Sequence, residues 1–186
     1  MKIIFLLSCV VIFLIGILFH KSAFAQKGLP KHLTDTYVGL RERAFKQTAS
    51  ELRVEPTPNG VFGVLMETAY PEAVVTLITL LTGDVSLYFS NGGGLIGGIA
   101  HEGVKKAALD FNNMANTYVS DCALVSSFPL PSPGKTIFYF LTTKGICARE
   151  DYENKLAKET NPLSPLFYSG QEVITQFRLA EEKIAR

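Results

Sequence analysis

Residues 61–90 constrain this chain more than any other part of its sequence. Three apolar segments, 61–70 (VFGVLMETAY), 73–81 (AVVTLITLL) and 85–90 (VSLYFS), follow one another with only Pro71-Glu72 and Thr82-Gly83-Asp84 between them. Parallel strands need crossovers of a dozen residues or more, so segments joined by turns this short can pair only antiparallel, as a meander. The β-branched, almost unbroken run 73–81 suits a strand covered on both faces.

The remaining segments arrange themselves around that meander. Thr34 or Asp35 can cap a first helix that runs to about Lys46 and carries Tyr37, Leu40 and Ala44 on one face, before the breaker 55–60 (EPTPNG). A glycine-rich bend, 91–98 (NGGGLIGG), leads to a helix over about 101–118, in which Val104, Ala107, Ala108, Phe111, Met114, Ala115 and Tyr118 form one stripe. The proline-rich stretch 126–134 reads as an exposed connection, 136–142 (TIFYFLT) as a strand, and 146–149 as a weaker edge strand beyond the turn Thr143-Lys144-Gly145. Ser169-Gly170-Gln171-Glu172 fits a capping box, with Tyr168 placed to staple onto Val173 and with Val173, Phe177, Ala180 and Ile184 on one face. The expectation is one α+β domain over residues 34–186. Its five-stranded antiparallel sheet, a meander of three plus a hairpin of two, is flanked by helices.

Ahead of the domain, Lys2 precedes an unbroken apolar run, 3–19, and Ala23-Phe24-Ala25 supplies small residues at the spacing a signal peptidase accepts. Residues 1–25 therefore read as a signal peptide cleaved after Ala25, leaving 26–33 as a tether and the domain secreted or periplasmic. The alternative is an uncleaved single-pass anchor through residues 3–19, the only contact with a membrane that the sequence suggests. The run is at the short limit for a spanning helix, and Lys21, Lys27 and Lys31 outnumber Lys2 plus the amino terminus. Leu6-Leu7-Ser8-Cys9 resembles a lipoprotein box, but too few apolar residues precede Cys9 and too many follow it.

The order helix, three strands, helix, two strands, helix resembles the roadblock and profilin-like layered domains. Those domains are mostly dimerising or scaffolding modules, so the resemblance implies interaction rather than catalysis. The blocks VFGVLMETAYPE, SLYFSNGGG and PLSPLFYSGQEVITQ are also similar to an uncharacterised bacterial protein family. That likeness implies no activity, cofactor or catalytic residue.

Charge argues against one class of partner. Removing residues 1–25 takes away Lys2 and Lys21 and no acid, which moves the formal charge from +1 to −1. Such a domain has no field to collect phosphates, and nucleic acid is not expected as a partner.

The motifs that could carry chemistry each have a plain structural reading beside them. Gly92-Gly93-Gly94-Leu95-Ile96-Gly97 satisfies the GxGxxG dinucleotide pattern, yet it follows an antiparallel meander, and no acid about 20 residues on closes a second parallel strand: Asp110 falls inside the expected helix and Asp121 at its far end. Glycines at such a reversal equally serve a sharp turn and close packing. Asn91, Gly92, Gly93, Gly94, Gly97 and His101 are nevertheless the candidate ligand-binding residues, for a small anion held at a helix start. His101 and Glu102 lack the second histidine of a zinc helix, because Lys105 stands in its place, and no metal or other cofactor is expected. Ser169 has Phe167 where a nucleophile elbow needs glycine. Cys122 and Cys147 are a candidate disulfide or, equally, two buried thiols. Glu67 alone interrupts an apolar strand; near the strand's end it is expected on an exposed rim, whereas burial would make it a candidate general acid. Residues 162–168 (PLSPLFY) either pack over the sheet or form a docking patch. The resulting expectation is a non-enzymatic protein-interaction or self-association module, with a small-ligand-binding domain as the alternative.

Overall fold

The computed structural model describes residues 33–120 and 122–184; the expected leader, its cleavage site and all but the last residue of the tether lie outside them. The meander is present as β1 (Val61–Ala69), β2 (Val74–Leu80) and β3 (Val85–Phe89), each antiparallel to the next. β5 (Lys135–Thr142) and β6 (Gly145–Tyr152) form the hairpin, and β5 pairs antiparallel with β1. The sheet has six strands rather than five, in the order β4-β3-β2-β1-β5-β6. The additional strand, β4 (Gly94–Ile96), lies inside the expected glycine-rich bend. Gly92 and Gly93 take left-handed φ values of 112° and 84°, which turns the chain tightly enough for Gly94, Leu95 and Ile96 to return along Tyr88, Leu87 and Ser86.

Strand alternation divides the core in two. Val64, Met66, Leu77, Leu87, Phe138 and Phe140 face α3 (Glu102–Ala115) and α5 (Ser164–Ile184). Leu65, Ile78, Tyr88, Ile137, Tyr139 and Leu141 face α1 (Asp35–Phe45) and the short α2 (Ala49–Leu52). β1 is buried along its whole length because both of its faces are covered. On the α5 side the approach is close at Gly170, where an added Cβ would fall 2.6 Å from the Met66 sulfur.

Four local expectations change. α5 begins at Ser164, not Ser169, so Ser169 lies inside the helix and caps nothing. The stretch 162–168 looked like a connection because of its two prolines, but Pro165 sits in the first helical turn, where its missing N–H costs no bond. Ser164 is buried, and its hydroxyl points at the carbonyls of Leu156 (2.6 Å) and Lys158 (2.5 Å), which ties the helix start to the one-turn α4 (Glu153–Leu156). Leu166 and Phe167 are core residues, so this stretch packs rather than docks. β6 continues to Tyr152 because it stays paired with β5 over eight positions. The connection 126–134 is not simply exposed: Phe128 stacks on Phe45 at 4.3 Å and meets Tyr139 edge-on.

The two sheet edges differ. Along β6, Val125 N–H donates to the Ile146 carbonyl (2.8 Å), Leu124 bridges to Cys147, and a Cys122–Cys147 disulfide holds the segment there with Cα atoms 5.7 Å apart. On β4, Gly94 and Ile96 are exposed, and Ile96 retains 71% of its surface.

Because the disulfide closes a loop over a sequence separation of 25, reduction should lower the unfolding free energy by about 3 kcal/mol. Urea titration with and without dithiothreitol measures this. A Cys122→Ala/Cys147→Ala variant should match the reduced protein and no longer respond to reductant.

Candidate functional site

The expected site residues are not brought together: Asn91, Gly92 and Gly93 lie at the sheet end that carries the β1–β2 turn, whereas Gly97 and His101 lie toward the end that carries the β2–β3 turn. Asn91, Gly92 and Gly93 form the tip of the β3–β4 hairpin, Gly94 starts β4, and Gly97 precedes a 3-10 turn, Gly98–Ala100, that leads into α3. His101 is the N-cap residue of α3, but its side chain makes no capping bond. Three backbone donors of this segment are used locally. Gly92 N–H reaches the Phe89 carbonyl, Ala100 N–H that of Gly97, and His101 N–H that of Gly98, each at 3.0 Å. Asn91 Nδ2 donates to the Glu72 carbonyl (3.3 Å), which pins the hairpin tip to the β1–β2 turn.

What marks the segment 91–100 is its surface. Between Asp84 and His101 the chain has no charged residue, and Asn91, Gly92, Gly93, Gly94, Ile96, Ile99 and Ala100 are all exposed. Two of the five large exposed hydrophobic residues among those described, Ile96 and Ile99, lie three positions apart in it. The domain's entrance lies at the hairpin tip, the far end of β4 from Ile96. Ser90, fully buried, accepts a hydrogen bond from Thr34 N–H (3.0 Å), so the chain reaches α1 beside the hairpin tip.

A second cluster lies under α1, and it corrects the reading of Glu67. That carboxylate has no exposed surface. It faces α1 because it alternates with Leu65 and Ala69 along β1, and the Arg41 guanidinium meets it in a two-pronged pair, Nε to Oε1 at 2.6 Å and Nη2 to Oε2 at 2.7 Å. Thr76 Oγ1 donates to Oε1 at 3.0 Å. The single Thr76 proton is thereby used, so Tyr37 donates its own hydroxyl proton to Thr76 at 2.9 Å. Arg41 Nη2 continues to the Phe128 carbonyl (2.9 Å), and Tyr139 OH donates to the Pro129 carbonyl (2.5 Å). Burial and then the nearby Glu67 charge push the Tyr37 phenol up to about 12, and the same two causes raise Tyr139. Both phenols therefore remain donors at neutral pH. A carboxylate with both oxygens engaged and no exposed surface has no path to a substrate, so the burial that could have made Glu67 an acid catalyst makes it a structural anchor.

Arg41 carried no sequence signal of its own. Its position did: Tyr37 and Arg41 are four apart on the stripe that also holds Ala44, the face of α1 turned to the sheet. Another half-buried pair joins β1's end to α4, where Tyr70 OH donates to Glu153 Oε1 at 3.0 Å. Burial raises the Glu153 carboxyl above the usual range, only partly offset by this bond.

Among the described residues, no group of three or more His, Cys, Asp or Glu could hold a metal ion. An open groove between α3 and α5, about 500 Å³, is rimmed by Lys106–Asp110 and Gln176–Glu172 contacts, in which each polar group is satisfied along its own helix. No protein-family model, curated protein or solved structure matches the chain.

Replacing Arg41 by Met should destabilise the domain by about 3–5 kcal/mol, since it leaves the Glu67 charge buried without its partner. The double variant Arg41→Met/Glu67→Leu should recover most of that loss in denaturant titrations. For Glu153 the folded-state pKa is raised, so the ionised group opposes folding above its ordinary value near 4.5, and that cost vanishes below it. Glu153→Gln should therefore be more stable than the parent at neutral pH, with the gap closing as pH falls toward about 3, followed by thermal unfolding across that range.

Proposed function

We propose that the domain is a non-enzymatic protein-interaction or self-association module, exported or held at a membrane, and that its contact surface is the edge formed by residues 91–100, along β4. The observation that carries this reading is the uncharged, exposed character of that edge, where Ile96 retains 71% of its surface. Unpaired edge strands and clustered exposed apolar side chains are the features by which folded domains recruit other surfaces. The opposite edge is covered along Cys147 by residues 124–125 and a disulfide, leaving β4 as the edge on offer. Bridging of Cys122 to Cys147 supports the export side of the reading, because disulfides persist in oxidising compartments. The order of elements, which resembles roadblock-like modules, weighs in the same direction.

Catalysis is not favoured, since the one carboxylate placed in an apolar strand is consumed by Arg41 and Thr76. A small anion at the start of α3 is not favoured either, because Glu102 puts a negative charge in the first turn.

A photo-crosslinking amino acid placed at position 96 of the full chain, in the cells that make it, tests this. Position 96 should yield a discrete adduct, whereas the same group at exposed Leu179 should not. Equal, background-level labelling at both positions would refute the contact surface. Ile96→Asp should change stability by no more than about 0.5 kcal/mol, so loss of the contact could not be ascribed to unfolding.

A further inference from the structure

We infer that Asn91 is a site of spontaneous covalent modification, at which the side-chain amide is lost and a carboxylate takes its place. The fold directs this change to Asn91 and protects Asn59, which has the same neighbour. Of the seven asparagines in the chain, only Asn59 and Asn91 are followed by glycine. Such a pair carries its own reaction partner, because a glycine has no Cβ to shield its nitrogen from the preceding side chain.

The step needs only water. Gly92 N gives up its proton to hydroxide and bonds to Asn91 Cγ; the Cγ–Nδ2 bond breaks and Nδ2 departs as ammonia, leaving a cyclic imide. Water then opens the imide at either carbonyl. The products are aspartate and isoaspartate, in which the main chain runs through the former side chain. No electrons are transferred: one water is consumed and one ammonium released for each carboxylate formed.

What separates the two pairs is how firmly each is held. Asn59 N–H donates to Asn116 Oδ1 and Asn59 Nδ2 to the Asn116 carbonyl, both at 2.8 Å. Gly60 N–H donates to the Thr57 carbonyl (2.7 Å), and the Gly60 carbonyl accepts from Thr143 N–H (3.0 Å). A Cβ on Gly60 would fall 2.5 Å from Thr143 Oγ1, so this glycine is packed as well as bonded. Asn91 is held more loosely. Its side chain has one bond, Nδ2 to the Glu72 carbonyl at 3.3 Å, and Gly92 N–H has the 3.0 Å turn bond to Phe89. Residues 91–94 are all exposed. A Cβ on Gly93 would meet nothing within 4 Å, and one on Gly92 only the Thr34 methyl group at 3.6 Å. The nitrogen must leave its hydrogen bond before it can attack, and local opening is cheapest where bonds are few and packing is absent. Asn91 therefore reacts first.

The product changes the surface. Asn91 Nδ2 is the donor that clasps the hairpin tip to the β1–β2 turn; a carboxylate has no proton to give and sets negative oxygen against the Glu72 carbonyl. It also brings charge into a stretch that has none between Asp84 and His101, inside the contact surface proposed above. The chemistry does not depend on that contact, but its consequence does: the modification weakens the contact as the protein ages.

The purified full chain, held in mildly alkaline buffer made with water enriched in heavy oxygen and sampled over days, tests the site by peptide mapping. Asn91 should become acid severalfold faster than Asn59, with one heavy oxygen incorporated and part of the product as isoaspartate. In urea the two rates should converge, because the pairs differ in what holds them. Asn91→Gln should show no change at that position. Equal rates in the folded chain, or no isoaspartate at position 91, overturn the inference. Rates that stay apart in urea also overturn it, by assigning the difference to flanking sequence instead of the fold. For the consequence, Asn91→Asp should give severalfold less of the position-96 adduct than the parent, and an undiminished adduct refutes the effect on the contact. Absence of any adduct in the parent refutes the contact reading together with that effect, and leaves the chemistry at Asn91 standing.

Discussion

The buried Glu67–Arg41 pair organises the structure around it. Two charges removed from water are tolerated only if geometry and further hydrogen bonds make good the lost hydration, and here both requirements are met. Both carboxylate oxygens and both donating nitrogens of the two-pronged contact are engaged, Thr76 supplies a third donor, and the second Nη2 proton of Arg41 goes to the Phe128 carbonyl, with that of Pro129 at the edge of reach. The burial cost of Arg41 is outweighed by its bonds to Glu67, which leaves the guanidinium firmly charged. One interaction set therefore joins α1, β1, β2 and the long connection ahead of β5. Besides these polar bonds, Tyr37 and Ala44 bury α1's face against the sheet. The aromatic trio Phe45, Phe128 and Tyr139 closes over the guanidinium, with Arg41 4.8 Å from the Phe45 ring centre.

This placement has a consequence at the other end of α1. With Arg41 fixed over Glu67, the N-cap Thr34 falls beside Ser90, and the preceding chain enters at the tip of the β3–β4 hairpin. Ser90 secures the junction, accepting at its hydroxyl from Val74 N–H and donating its own N–H to the Val74 carbonyl, both at 2.9 Å. A polar lock in the interior thus decides which part of the surface lies nearest whatever precedes the domain. The disulfide works at the far edge in a complementary way. It keeps the residues after α3 against β6, so the sheet's two margins are unlike each other.

Several features were legible because they follow from local rules. The meander could be deduced from two- and three-residue gaps, and α3 from its three-and-four spacing of Val104, Ala108, Phe111 and Ala115, all buried as that stripe requires. Other features needed partners distant in sequence. Gly94-Leu95-Ile96 contains nothing that distinguishes a three-residue strand from a loop; it is a strand because β3 offers it a hydrogen-bonding edge. Likewise 162–168 looks like a connection until α4 and the core give Ser164, Leu166 and Phe167 something to bond or bury against. Glu67 was conspicuous as a lone acid in an apolar strand, but its environment depended on Arg41, separated from it by 26 positions.

By itself, the amino-acid order determined the α+β class and the antiparallel meander, because loops of two and three residues leave neighbouring strands no other way to pair. It also determined that the hairpin region would be rich in glycine and free of charge. Tertiary structure alone decided that Glu67 is an anchor, not an acid catalyst, and that Ile96 stays on the outside. Both outcomes depend on what lies opposite a residue in space: Arg41 in the first case, and in the second a β3 neighbour on one side of β4 with the other side left uncovered.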